Sequence, residues 1–196
     1  MREVGGEGVV VGIDEVGRGP LAGPLTVAAV ALPDEPQIIG LDDSKKLSAK
    51  RREELSAQIH EHALGIGIAM VEPEEIDACG MSASLRLAMR RALEACGLEP
   101  DAVLIDGNPV RIHPKETCIV KGDGKVACIA AASIVAKVAR DALMVEYDAT
   151  YPGYGFTSNK GYGSKAHIEA IKKLGPCPVH RRSFLGNILA QQQSLL

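Results

Sequence analysis

The 196-residue chain has no overall excess of positive charge, no long apolar run, no paired cysteine motif and no internal repeat, and each absence narrows its possible roles. Its formal charge of −3 gives no global signal for nucleic-acid binding, because phosphate contacts are made mainly by Lys and Arg. Local distribution keeps that possibility open. Basic residues gather at Lys45/Lys46, Lys50 to Arg52, Lys121/Lys125, Lys160/Lys165 and Arg181/Arg182. Divalent ions held by acidic residues would also offset acidity at a phosphate site. The longest uncharged stretch, Gly19 to Pro33, is too short and too interrupted by Gly and Pro to span a membrane. Residues 1–13 lack a basic region followed by a cleavage site, so a cytoplasmic protein is expected. The cysteines (Cys79, Cys96, Cys118, Cys128, Cys177) are odd in number and include no Cys-x-x-Cys pair. Neither a disulfide framework nor a structural zinc site is indicated.

The chain does contain enough apolar residues, 46% of the total, for one compact domain with a sizeable core. Gly8 to Val16 and Leu25 to Leu32 are valine-rich and separated by a Gly/Pro turn, which predicts two strands with a tight connection. Leu64, Ile66, Ile68 and Met70 alternate with small residues, the period of a third strand. Ser48 is placed to N-cap a helix reaching about Ala63. From Ser82, the apolar positions Leu85, Ala88, Met89, Ala92, Leu93 and Cys96 follow helical spacing, and Gly97 stands where a C-cap glycine belongs. Ala102 to Ile105 and Thr117 to Val120 predict short strands. Val126 to about Tyr147, Lys165 to Leu174 and Phe184 onward predict helices. The order β-β-α-β-α-β-β-α suggests an α/β fold with a mixed sheet covered by helices.

Three apolar runs lead into acid: Val9 to Ile13 into Asp14-Glu15, Val103 to Ile105 into Asp106, and Ile119 to Gly122 into Asp123. A carboxylate beside a buried strand costs roughly several kcal/mol unless a cation or strong hydrogen bonds compensate. One such acid is an ordinary turn or cap residue, whereas several together suggest convergence on a cation. Hard oxygen donors without His or Cys suit Mg²⁺ or Mn²⁺, and two such ions about 3.5–4 Å apart support phosphodiester cleavage. Phosphatases and other Mg²⁺-dependent phosphoryl-transfer enzymes fit the same pattern. Adjacent strand residues point to opposite faces, so Asp14 and Glu15 reach one ion only if the strand ends or twists there, which Gly17 and Gly19 would permit. His60 and His62, two apart on a helix, form no metal pair.

The segment Asp14-Glu15-Val16-Gly17-Arg18-Gly19-Pro20-Leu21-Ala22-Gly23-Pro24 resembles the signature that opens the type 2 ribonucleases H. Asp43-Ser44-Lys45-Lys46-Leu47, Ile105-Asp106-Gly107, Lys121-Gly122-Asp123, the run Ile129 to Asp141, and Lys160-Gly161-Tyr162-Gly163-Ser164 resemble that family's later blocks, in order, so that the likeness covers about residues 8–185. The resemblance implies a ribonuclease H-like mixed β-sheet flanked by helices with a C-terminal helical region. It implies one catalytic domain over 1–196 in which 148–196 supply a substrate loop and terminal helices. It further implies that Asp14, Glu15, Asp106 and Asp123 are the catalytic and metal-binding acids, holding two Mg²⁺ or Mn²⁺ ions. The expected substrates are RNA–DNA hybrids and duplex DNA containing ribonucleotides.

In the family Gly17-Arg18-Gly19 would read the ribose 2′-OH and Tyr162 would stack on the following deoxyribose. Glycines also let backbone groups approach a ligand closely and form anion-binding concavities. Four of the six aromatics, Tyr151, Tyr154, Phe156 and Tyr162, fall in one Gly-rich stretch, and Tyr151 and Phe156 are expected to be loop anchors. Lys45, Lys46, Lys121 and Lys165 are candidate phosphate contacts. Two departures from the family pattern stand out: Asn159 where His is expected, and Leu185-Gly186 in place of a Pro-containing continuation.

A type 3 ribonuclease H is the near rival, disfavoured because only thirteen residues precede Asp14. A non-catalytic nucleic-acid-binding module is the distant one, and it would have no use for four acids that repel phosphate. The tail Gln192-Gln193-Ser194-Leu195-Leu196 resembles the short Gln-led, Leu-ended peptides that dock on the replication sliding clamp, although a plain helix end accounts for it more simply. A monomer is expected.

Overall fold

The computed structural model describes residues 8–186, 188 and 189. Five strands form one sheet: β1 (Val10–Val16), β2 (Leu25–Ala31), β3 (Gly65–Val71), β4 (Ala102–Asp106) and β5 (Glu116–Ile119), in the order β3-β2-β1-β4-β5. The first three pair antiparallel through short connections, whereas β4 joins β1, and β5 joins β4, in parallel. The parallel pairings need crossovers, and helices supply the one from β1 to β4. The helices are α1 (Ala49–His62), α2 (Pro73–Cys79), α3 (Met81–Cys96), α4 (Ala127–Thr150), α5 (Phe156–Asn159) and α6 (Lys165–Leu174).

Strand periodicity divides the core into two layers. On one face Val11, Ile13, Leu25, Val27, Ala29, Val103 and Ile105 pack against Leu85, Ala88, Met89 and Ala92 of α3. On the other, Ala28 and Val30 meet Leu55 and Ile59 of α1 and the Ala130–Ala136 stretch of α4. Every residue of β2 is buried, as expected for a strand covered on both sides. A third cluster, Met144, Tyr154, Phe156, Ile171, Val179 and Leu185, ties the C-terminal region to the end of α4.

The sequence expectations hold for all five strands and for α1, α3, α4 and α6 within a few residues of their ends. Ser48 caps α1 by accepting from the Arg51 N–H, and Gly97 ends α3 in the left-handed region. α2 was not anticipated; seven residues carry too short a pattern to read, although Pro73 sits in the first turn and Glu72 and Glu75 form a capping box. The stretch predicted as a terminal helix opens with a 3-10 turn, Arg182–Phe184. Asp77 of α2 receives the Arg182 and Ser183 N–H groups and so holds that turn. Residues 192–196, and with them the clamp motif, lie outside the described residues. Among the described residues no helix is long and apolar enough to cross a membrane.

Candidate active site

The acids collect where β1 and β4 run side by side. Ile13 pairs with Ile105, so Asp14 and Asp106 follow at the same level of two adjacent parallel strands. β1 continues through both acids, Asp14 and Glu15, to Val16 and ends just before Gly17. The two side chains therefore project to opposite faces of the sheet. Asp14 follows the α4 face and accepts a hydrogen bond from Ser133 of α4. Glu15 follows the α3 face, where it lines a cleft with Arg18, Ser82, Arg86, Asp106 and Asn108. Asp123 sits past the end of β5, within the 3-10 turn Gly122–Gly124, which Lys121 enters in the left-handed conformation.

Asp106 is the common neighbour. Its charge acts on Asp14, on Glu15 and on Asp123, and one of its oxygens accepts the Gly122 N–H at 2.7 Å, which fastens the Asp123 turn to β4. Burial, then Glu15, then Asp106 push the Asp14 carboxyl up to about 8, against the opposing hydrogen bonds from Ser133 and from the Glu15 N–H. Burial also raises Glu15, partly countered by Arg18, whose guanidinium lies 3.2 Å away. Asp123 is raised by burial, then by Asp43 and Asp106. A cluster whose carboxyls are raised by burial and then by one another's charge is one that a cation would stabilise.

These donors fit Mg²⁺ or Mn²⁺: they are carboxylate oxygens only, in mutual repulsion, with Arg18 the one cation paired to any of the four among the described residues. Also among the described residues, no three acidic, histidine or cysteine side chains enclose a cation by themselves.

The structure also shows what supports the acids. Ser133 Oγ lies 2.9 Å from Ser44 Oγ in a buried contact. If Ser133 donates to Asp14, it must accept from Ser44, so a two-hydroxyl relay joins Asp14 to the Asp43-Ser44-Lys45-Lys46 turn. Asp43 caps that turn through the Lys45 N–H, and Arg52 braces it by donating to the carbonyls of Ser44 and Leu47. Lys45 and Lys46 are thereby brought to Asp123, on which both act electrostatically, although Lys46 also pairs with Asp42 at 2.9 Å. Lys121 is exposed at the entry to the Asp123 turn. Lys165 is exposed at the start of α6 and has no ion-pair partner among the described residues.

Of the aromatics, Phe156 and Tyr154 are buried and stacked 5.4 Å apart, and Tyr151 packs edge-on against Tyr147. Tyr162 alone is exposed, at 45%. Its carbonyl is held by His167 Nδ1, whose Nε2 meets Nε2 of His180, both rings being buried. Asn159 serves the same loop: its side chain donates to the Tyr154 carbonyl and accepts the Gly161 N–H. Sequence reasoning left the two histidines unassigned and missed Ser44 and Ser133, because single polar residues carry no periodic signal.

A five-stranded mixed sheet with its acids beside the ends of the parallel strands is the ribonuclease H-like fold. Ribonuclease H2 from Pyrococcus horikoshii OT3 superposes with a TM-score of 0.80 at 26% identity, over 94% of this chain and 99% of that one. The ribonuclease HII of Archaeoglobus fulgidus, solved in complex with PCNA, gives a TM-score of 0.77 at 28% identity, over 89% and 94%. The chain belongs to the ribonuclease HII family, whose sequence profile matches residues 11–186. A ribonuclease HII from Moorella thermoacetica is 54% identical over 176 residues, covering 89% of this chain and 85% of that protein. Membership makes the protein an enzyme, a ribonuclease H that acts on RNA–DNA substrates.

Proposed function

We propose that this ribonuclease H is a divalent-metal-dependent endonuclease that cuts the RNA strand of RNA–DNA hybrids and nicks duplex DNA 5′ of an embedded ribonucleotide, leaving 3′-OH and 5′-phosphate ends. The observation that carries the reading is the set of acids around Asp106, raised by burial and by one another. Asp14, Glu15, Asp106 and Asp123 would hold two Mg²⁺ or Mn²⁺ ions. Such ions, when bound, activate a water and stabilise the leaving oxygen of the phosphodiester.

The chain's own residues do the remaining work. The Gly122 N–H fixes the Asp106 carboxylate, and the Ser133 hydroxyl fixes Asp14 beside it. Lys45, Lys46, Lys121 and Lys165 take backbone phosphates. Gly17-Arg18-Gly19 reads the 2′-OH. A Cβ at Gly17 would strike Arg140 and the Pro24 carbonyl, so its glycine serves the fold, whereas a Cβ at Gly19 would meet nothing within 4 Å. That open space suits close approach by a ribose. Tyr162 stacks on the sugar that follows, consistent with its exposure in a loop otherwise anchored by buried rings.

The direct test is a duplex carrying one ribonucleotide, incubated with protein and Mn²⁺ and mapped for cleavage. A single nick 5′ of the ribonucleotide, lost in Asp14→Asn, is expected; an uncut duplex, or equal cutting by the variant, defeats the assignment.

The protein is proposed to act as a single-domain monomer in the cytoplasm, in replication and ribonucleotide removal. The PCNA complex of the Archaeoglobus homologue favours a sliding-clamp partner, which Gln192 to Leu196 would engage. Clamp binding undiminished by deletion of 192–196 would remove the tail from that role.

A further inference from the structure

Among the described residues two arginines are completely buried: Arg140 in α4 and Arg181 beside the C-terminal turn. Neither pairs with a carboxylate among the described residues. An unpaired buried charge is expensive, and proteins keep one only where its donors are fully used. Here the acceptors are backbone carbonyls. Arg140 donates from Nε to Pro24, from Nη2 to Ala22 and from Nη1 to Lys160, at 2.8–3.0 Å. Arg181 donates from Nε and Nη2 to Gly23, from Nη2 also to Gly17, and from Nη1 to Arg18, at 2.6–3.0 Å. Burial pushes Arg181 down, to about 10, which still leaves it charged at neutral pH.

The direction of these bonds matters. In a trans peptide the C=O and the following N–H point opposite ways. Drawing the Gly17 and Arg18 carbonyls toward Arg181 therefore turns the Arg18 and Gly19 N–H groups away from it. Neither N–H has an acceptor among the described residues, and beside Gly19 the space is open. Two adjacent free N–H groups backed by two cations form a concavity suited to an electron-rich oxygen. Arg140 also spans the gap to the second loop, since Lys160 precedes Tyr162 by two residues and the Gly161 carbonyl accepts the Leu21 and Ala22 N–H groups. Both guanidinium groups act electrostatically on Tyr162.

We propose that Arg140 and Arg181 are positioning residues for ribonucleotide recognition: they aim the Arg18 and Gly19 N–H groups outward and lock the Gly17–Pro24 loop to the Tyr162 loop as one reading surface. This rests on the reading of Gly17-Arg18-Gly19 as the 2′-OH contact. A lysine keeps each charge but cannot replace a planar fork that serves three or four carbonyls. Arg181→Lys and Arg140→Lys should therefore lose recognition more than they lose the metal site.

The readout is equilibrium binding in Ca²⁺, comparing a DNA duplex carrying one ribonucleotide with the same duplex carrying none, alongside Mn²⁺ affinity and thermal stability. The wild type should prefer the ribonucleotide. Arg181→Lys should reduce that preference about tenfold, with Mn²⁺ affinity changed less than about threefold. Arg140→Lys, which leaves Arg181's contacts in place, should also reduce it and serves if Arg181→Lys does not fold. An unchanged preference in a folded lysine variant, with Gly19→Ala losing it, overturns the proposal and leaves the 2′-OH reading standing. An unchanged preference in Gly19→Ala as well overturns both.

Discussion

Asp14 supplies activity at a cost to the metal-free fold, and that cost can be measured. Its carboxyl is almost wholly buried and is pushed from 3.8 to about 8 by burial, Glu15 and Asp106. An acid whose folded pKa is raised binds its proton more tightly in the folded state. The stability associated with that proton is complete below pH 3.8 and is lost as pH rises toward 8. At about 1.4 kcal/mol per pKa unit, the four-unit displacement sets a ceiling of about 5 kcal/mol at pH 8. Water entry and side-chain relaxation bring the effective penalty of a buried charge well below such ceilings. Asp14→Asn, which keeps an acceptor for the Ser133 hydroxyl and the Glu15 N–H, should thus gain about 1–2 kcal/mol, or roughly 2–8 °C in Tm for a domain of this size. The assay is thermal unfolding in EDTA at pH 5 and pH 8. The variant should melt higher at pH 8, with a smaller gap at pH 5, and addition of Mn²⁺ should reverse the order because only the wild type gains the ion. A variant no more stable than wild type at pH 8 in EDTA, or a gap that does not change with pH, refutes the account of Asp14.

Ser133→Ala removes the hydroxyl that lowers Asp14, so its carboxyl should rise further; the ascending limb of kcat/KM against pH should move up by as much as about one unit, and Mn²⁺ affinity, followed by calorimetry, should fall roughly tenfold. Gly17→Ala should cost about 1–3 kcal/mol in denaturant unfolding, because φ is +91° and Arg140 occupies the Cβ position, whereas Gly19→Ala should fold within about 0.5 kcal/mol of wild type and lose ribonucleotide cleavage. His180 is pushed from 6.5 to about 4 by burial and then by His167, so its neutral form contributes stability that is intact above pH 6.5 and is lost as pH falls toward 4. A His180→Gln variant should show a shallower fall in Tm over that window.

What the sequence showed and what it hid differ in physical kind. Strands β1, β2 and β3 were legible because their alternation is local, and the four acids stood out because each follows an apolar run, although β1 carries on through Asp14 and Glu15 and Asp123 lies in a turn beyond β5. The face each acid takes followed from strand period once β1 was seen to continue through Val16. Partners distant in sequence were not legible. Ser44 and Ser133 are 89 residues apart, and nothing near either one announces a shared hydrogen bond. The arginines are the sharper case. Arg181 counted among the basic residues that gather beside Arg182, and a charge without a nearby acid ordinarily means a solvated side chain. The structure buries it completely, because the glycine-rich turn between β1 and β2 offers carbonyls that no strand or helix consumes.

The same turn thus has two sides with different demands. Its carbonyl side needs buried donors, which Arg140 and Arg181 meet, and its N–H side stays free for a ligand. A loop this poor in side chains cannot hold its shape through its own packing, so rigidity has to come from outside the motif. It arrives from α4 and from the segment beside α6, elements more than 100 residues further along the chain. Much of the acids' support lies in the sheet itself: β1 carries Asp14 and Glu15, β4 carries Asp106, and the Gly122 N–H on Asp106 fastens the turn that holds Asp123. Substitutions remote from the metal site but touching these carbonyls should therefore alter which strand is chosen before they alter whether a phosphodiester is cut.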